Sequence, residues 1–208
     1  KFLSKDEQVE YERACGKYSG KAREILSELN VFKILLLNQI GIRTATLIEL
    51  ESTLENGLAL QGYNVILPAV ALRSAGDSYP QDDYWAKSLA EKLEIKKFTV
   101  PLVITGLEVI ADNKSDCGLN FGVDDKTKVI EVPDLHYKNH ERRFSRINPD
   151  YSIDFANEGR LLQTRDKGIS RLDFYGDACL DSSKHILGST FGSGKVVVVD
   201  SAEVYAKI

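Results

Sequence analysis

The stretch Leu172-Asp173-Phe174-Tyr175-Gly176-Asp177-Ala178-Cys179-Leu180-Asp181-Ser182-Ser183-Lys184-His185-Ile186-Leu187-Gly188-Ser189-Thr190-Phe191-Gly192-Ser193-Gly194 runs straight into Lys195-Val196-Val197-Val198-Val199-Asp200. Eleven of the first 23 residues are Gly, Ser or Asp, yet Leu172, Phe174, Leu180 and Leu187 recur among them. Apolar anchors at such intervals can hold a fixed backbone while the residues between them face solvent. The valine run that follows predicts a strand. This pattern suits a binding surface better than a catalytic centre.

Working outward, the chain reads as helices first and strands later. Ser4-Lys5-Asp6-Glu7 is a capping box, and its helix is expected to stop near Gly16. Ala22, Ile25, Leu26 and Leu29 share one helical face, and residues 44–54 repeat that spacing with Leu47, Ile48, Glu51 and Leu54 before Asn56-Gly57. Residues 63–68 predict a short buried strand and residues 73–79 a loop. Pro80 opens a helix through Leu93, with Asp82 and Asp83 at its start.

From Lys97 onward, strands are expected over residues 98–105 and 107–111. Residues 119–123 are expected to pair with 128–132 across Asp124-Asp125-Lys126-Thr127. Further strands are expected at 145–147, 161–164, 169–174 and 195–200, with a turn at Asn148-Pro149-Asp150. This order predicts an α+β fold, with helices mainly in the N-terminal half and antiparallel strands in the C-terminal half, not a doubly wound one.

Length and composition narrow the function. The 208 residues suit one domain with a sizeable core, and 43% hydrophobic with 28% charged residues is globular in character. A net charge of −4 gives no electrostatic footprint for nucleic acid. No apolar run spans a bilayer, since the best, 31–40, is broken by Lys33, Asn38 and Gln39; no signal-peptide pattern follows Lys1-Phe2-Leu3-Ser4-Lys5. Neither membrane insertion nor a particular compartment is therefore indicated. Cys15, Cys117 and Cys179 are too few and too scattered for a disulfide framework or a four-ligand zinc site.

The catalytic motifs fit poorly. Gly188-Ser189-Thr190-Phe191-Gly192-Ser193-Gly194-Lys195 is not a phosphate loop, because Val196 follows the lysine and a strand is expected where a helix is needed. His136, His140 and Glu141 could hold a divalent metal, the alternative being a metal-dependent enzyme. No third strong ligand is evident, and exposed histidines explain them better. Arg142, Arg143, Arg146, Arg160, Arg165 and Arg171 are balanced by Asp150, Asp154, Glu158, Asp166 and Asp173, as structural ion pairs would be.

From Thr164-Arg165-Asp166-Lys167-Gly168-Ile169 through Ser170-Arg171-Leu172 to Gly194-Lys195-Val196-Val197-Val198-Val199, the chain resembles the variable proteins of diversity-generating retroelements, closest to the archaeal branch. In that family a C-terminal region scrambled by adenine-directed mutagenesis is displayed on a C-type lectin fold. Adenine mutagenesis of asparagine codons ending in a pyrimidine cannot yield Lys, Glu, Gln, Trp or Met. Residues 172–194 contain no Glu, Gln, Trp or Met, and Lys184 is the one departure.

The resemblance implies fixed residues at Leu172, Phe174, Leu180, Ser182 and Leu187. It implies diversified, ligand-binding residues at Asp173, Tyr175, Asp177, Cys179, Asp181, Ser183, His185, Ile186, Ser189, Phe191, Gly192 and Ser193, with Asp200 a further candidate. The first of these fall on alternate residues, as when one strand face meets solvent and the other the core. Aromatic members such as Tyr175 and Phe191 would supply contact area at low entropic cost. The expectation is a single C-type-lectin-like domain over 1–208, with a helical scaffold portion at 1–93 and a variable region at 170–200. It is a non-enzymatic ligand-binding protein without cofactor or metal, and its partner is a macromolecule, protein before any other class.

Overall fold

The computed structural model describes residues 3–57, 64–176, 178–184, 187–188 and 194–199. The architecture is mixed α+β, with helices α1 (Lys5–Cys15), α2 (Gly20–Ser27), α3 (Val31–Gln39) and α4 (Leu47–Glu55) ahead of strand β1 (Asn64–Leu72) and helix α5 (Pro80–Lys92). Strands follow: β2 (Leu102–Thr105), β3 (Glu108–Ala111), β4 (Leu119–Gly122), β5 (Lys128–Glu131), β6 (Arg143–Ile147) and β7 (Ile153–Phe155). The series closes with β8 (Arg160–Thr164), β9 (Ile169–Tyr175), β10 (Cys179–Ser182) and β11 (Gly194–Lys195).

The helix ends form where the sequence places capping chemistry. Ser4 Oγ accepts from Glu7 N at 3.2 Å while Ser4 N donates to Glu7 Oε2 at 2.6 Å, and Thr46 and Glu49 repeat this reciprocal cap at α4. The first helix is closed by Gly16, as expected. Pro80 fixes the first turn of α5, where Asp82 and Asp83 meet the positive helix end. Helix α3 is different in kind. Val31, Phe32, Ile34, Leu35, Leu36 and Leu37 are all buried, so it is apolar nearly all round and lies inside the molecule.

The main sheet runs β5-β2-β1-β9-β10-β8-β6-β7, with β11 also paired to β1; β3 and β4 form a separate two-stranded sheet. Strand β1 is the middle of the structure. Ile66, Val70 and Leu72 point into one core with α3, Trp85, Leu89 and Phe121. Val65, Leu67, Ala69 and Ala71 point into a second core with Leu50, Phe144, Leu162 and Leu180. A strand buried on both faces reads as the continuous apolar run seen at Val65-Ile66-Leu67-Pro68-Ala69-Val70-Ala71-Leu72. Its ladder with β9 shifts register between Ile66 and Val70, which accommodates Pro68, a residue with no N–H to donate.

Four expectations are corrected. Strand β4 does not pair with β5: β4 pairs with β3, and β5 pairs with β2 through Leu102↔Glu131 to Thr105↔Lys128. The reversal lies earlier, where Asp112 N donates to Gly118 O at 3.0 Å. The ribbon then bends where Gly106, at φ 69°, passes so close to Lys126 that a Cβ there would stand 2.3 Å from its carbonyl oxygen. Second, the strand expected over 98–105 begins only at Leu102. Third, the valine run is not a long strand. The short parallel pairing Asn64↔Gly194 and Val65↔Lys195 stops just ahead of the valines, which make an antiparallel bridge from Val198 to Thr44 and hydrogen bonds from Ala45 N to Val197 O and from Val199 N to Arg43 O. The sheet is also not wholly antiparallel, since β8 and β10 run parallel.

Candidate functional site

The hairpin of β9 and β10 carries the segment that the sequence singles out. Its register is Cys179↔Tyr175, Leu180↔Phe174 and Asp181↔Asp173, and Gly176 and Ala178 take positive φ at the turn, 56° and 62°. Strand β9 lies between β1 and β10, so it has no free edge. The five residues expected to be fixed, Leu172, Phe174, Leu180, Ser182 and Leu187, are all buried. Leu172, Phe174 and Leu180 enter the second core, and Leu187 enters the first.

Of the residues expected to be displayed, Tyr175, Cys179 and Ser183 are half-buried, the first two beside the hairpin turn and Ser183 just past the far end of β10. Asp173 and Asp181 are not displayed. They are 1% and 2% exposed, which corrects the expectation that alternate β9 positions meet solvent. The reason is that the sheet is covered on both faces. The face of β9 that carries Ile169, Arg171 and Asp173 turns toward the helix-lined core, and Arg171 N donates to Lys184 O at 3.1 Å. Lys184, the one departure from the codon pattern, thus holds the frame through its backbone carbonyl. Asp177, His185, Ile186, Ser189, Phe191, Gly192, Ser193 and Asp200 lie outside the described residues.

The buried charges form a local network. Arg171, 0% exposed, places Nε 3.3 Å from Asp173 Oδ1. Burial pushes the Asp173 carboxyl up to about 7 against the pull of Arg171, and Asp181 across the ladder adds to the rise. Asp181 is held by Ser183, whose N and Oγ donate to Oδ1 at 2.8 and 2.6 Å, and its Oδ2 lies 3.5 Å from Lys184 Nζ. Burial, with Cys179, Asp181 and Asp173 nearby, raises the Tyr175 phenol above its ordinary range. Such a network fixes geometry.

Sequence reading missed the centre of the frame, Arg73, which it placed in a loop. Arg73 follows the last residue of β1 and is 9% exposed. Its Nη1 donates to Ser170 Oγ at 2.9 Å, its Nη2 to Thr164 Oγ1 at 2.8 Å and Ser182 Oγ at 2.6 Å, and its Nε to Leu135 O at 3.2 Å. One guanidinium therefore ties β1, β8, β9 and β10 to the turn at Pro133–Leu135. Burial lowers it to about 9, with Arg165 adding to the fall. The signal for it was an arginine closing an apolar run, together with hydroxyl residues at the strand positions 164, 170 and 182.

The arginine-rich stretch does form ion pairs, though mostly with helix residues and not with the nearby acids expected. Arg160 grips Glu51 of α4 with both terminal nitrogens, Arg165 Nη1 lies 3.2 Å from Asp82 of α5, and Arg146 Nε lies 2.9 Å from Glu55. These links fasten the helices to the strands. His136 Nδ1 accepts from Lys138 N at 3.1 Å and His140 Nδ1 from Thr164 N at 3.1 Å, so both rings cap local backbone. Among the described residues, no three His, Cys, Asp or Glu side chains gather as a metal site, and no helix is long and apolar enough to cross a membrane. No protein family, curated protein or solved structure matches this chain.

Proposed function

We propose that this chain is a ligand-binding protein whose C-terminal segment is diversified by a retroelement and displayed on a C-type-lectin-like frame, with a macromolecular, most readily protein, partner. The observation that carries the reading is the separation along one hairpin. Phe174 and Leu180 form a buried cross-strand pair, while the next pair outward, Tyr175 and Cys179, is half-open to solvent. A frame of this kind tolerates rewriting at its outer positions, because exposed substitutions usually change stability by about 0.5 kcal/mol whereas core losses amount to several.

The buried network sharpens which positions belong to each class. Asp173 and Asp181 act as frame, joined to Arg171, Ser183 and Lys184. Among the described residues, the displayed set is Tyr175, Cys179 and Ser183. Sequencing the DNA around the coding region tests the proposal. The expected result is a near-copy of the segment encoding residues 172–194, differing at adenines, beside a reverse-transcriptase gene. A locus without such a copy, or with differences at other bases, overturns it.

A further inference from the structure

A cavity of about 520 Å³ opens on the far edge of β1 from the hairpin. That edge pairs with β11 at Asn64 and Val65 and with β2 from Ala69 onward, and Pro68 and Ala69 line the cavity where the two ladders leave a gap. Leu35, Leu47 and Leu107 complete an apolar interior. The size falls within the range of small-molecule sites.

The polar rim is asymmetric. The side-chain oxygens of Asn38 and Gln39 are already used: Asn38 Oδ1 accepts from Thr44 N at 2.7 Å and Gln39 Oε1 from Val109 N at 3.1 Å. Each amide therefore keeps its NH₂ donors, which have no hydrogen-bond partner among the described residues. Lys126 and Lys128 are exposed on the same rim, and neither has an ion-pair partner among the described residues. On the acceptor side, Asp124 Oδ1 is occupied by Lys126 N at 2.9 Å, which leaves Asp124 Oδ2 and the Glu108 carboxylate uncommitted against four donor groups. Arg43, also on the rim, is held by Glu49. Uncommitted donors thus outnumber uncommitted acceptors around an apolar interior.

We propose that this cavity is a small-molecule site for an amphipathic organic anion, with its apolar part against Leu35, Leu47 and Leu107 and its carboxylate or phosphate head at Lys126 and Lys128. The site is independent of the hairpin surface, so either can fail without the other. Isothermal titration of the full chain with octanoate, octyl phosphate, octan-1-ol and inorganic phosphate tests it. Saturable binding of one or both octyl anions, at least about tenfold tighter than octan-1-ol and inorganic phosphate, is expected. Whichever anion binds identifies the head group. The double variant Lys126→Ala/Lys128→Ala, with its fold checked by circular dichroism, should weaken the anion about tenfold and leave octan-1-ol unchanged. No saturable binding, equal binding of octan-1-ol or of inorganic phosphate, or an unaltered double variant would overturn the proposal.

Discussion

Arg73 Nη2 donates to Ser182 Oγ at 2.6 Å, joining the end of the central strand to the second strand of the candidate hairpin. The same guanidinium reaches Ser170 and Thr164, so β9, β10 and β8 are positioned by one side chain that meets hydroxyls and a carbonyl, with no carboxylate in ion-pair contact among the described residues. Replacing Arg73 by Met leaves three buried hydroxyls short of a donor. The expected loss is about 3 kcal/mol in urea-unfolding stability, and Ser182→Ala should lose about 1 kcal/mol. Equal stability of Arg73→Met and the parent would show that the hub is dispensable.

Asp173 should make stability depend on pH in an unusual sense. Its folded value of about 7 lies above the ordinary 3.8, so between these limits the folded chain binds more protons than the unfolded one. The contribution of this carboxyl therefore falls as pH rises from about 4 to about 7, and is level above that. Subtracting the stability of Asp173→Asn from that of the parent at each pH isolates it. The difference should decline across the window; a rise would mean that Arg171 dominates and holds the carboxyl charged.

The pair between Glu51 and Arg160 fastens α4 to β8, and Glu51 Oε1 also accepts from Ile147 N at 3.0 Å. Glu51→Ala leaves Arg160 uncompensated and Ile147 N unpaired, with an expected loss of about 3 kcal/mol. Glu51→Ala/Arg160→Ala should restore part of that loss. Thermal melts of Glu51→Ala, Arg160→Ala and the double variant against the parent give the coupling directly.

Frame and display positions should separate in stability. Leu180→Ala opens a void in the second core and should lose about 2–5 kcal/mol. Tyr175→Asn and Cys179→Asn, at the half-open pair, should each change stability by about 1 kcal/mol or less. Urea titrations compare all three, and a loss at Tyr175 or Cys179 matching that at Leu180 would place the hairpin end in the frame.

Local chemistry made much of this legible in the sequence. The cap at Ser4, Pro80 opening α5, and the anchors Leu172, Phe174, Leu180 and Leu187 are each decided by a few neighbouring residues. What escaped was set at long range. Strand β5 is taken by β2 and not by its neighbour β4, and the burial of Asp173 and Asp181 is set by coverage of both sheet faces. Gly194 and Lys195, just ahead of the valine run, pair with β1, and the valines then turn to the loop at Arg43 and Ala45. Arg73 is a contact of residues about 60 to 110 positions apart, and no local pattern announces it.

The central claim is that a constant frame carries side chains free to change, and sequencing this gene across a natural population measures that directly. Amino-acid differences should occur at Tyr175, Cys179 and Ser183, through adenine substitutions, and be missing at Leu172, Phe174, Leu180, Ser182 and Leu187. Differences spread evenly over both sets, or a segment no more variable than the rest of the chain, would contradict it.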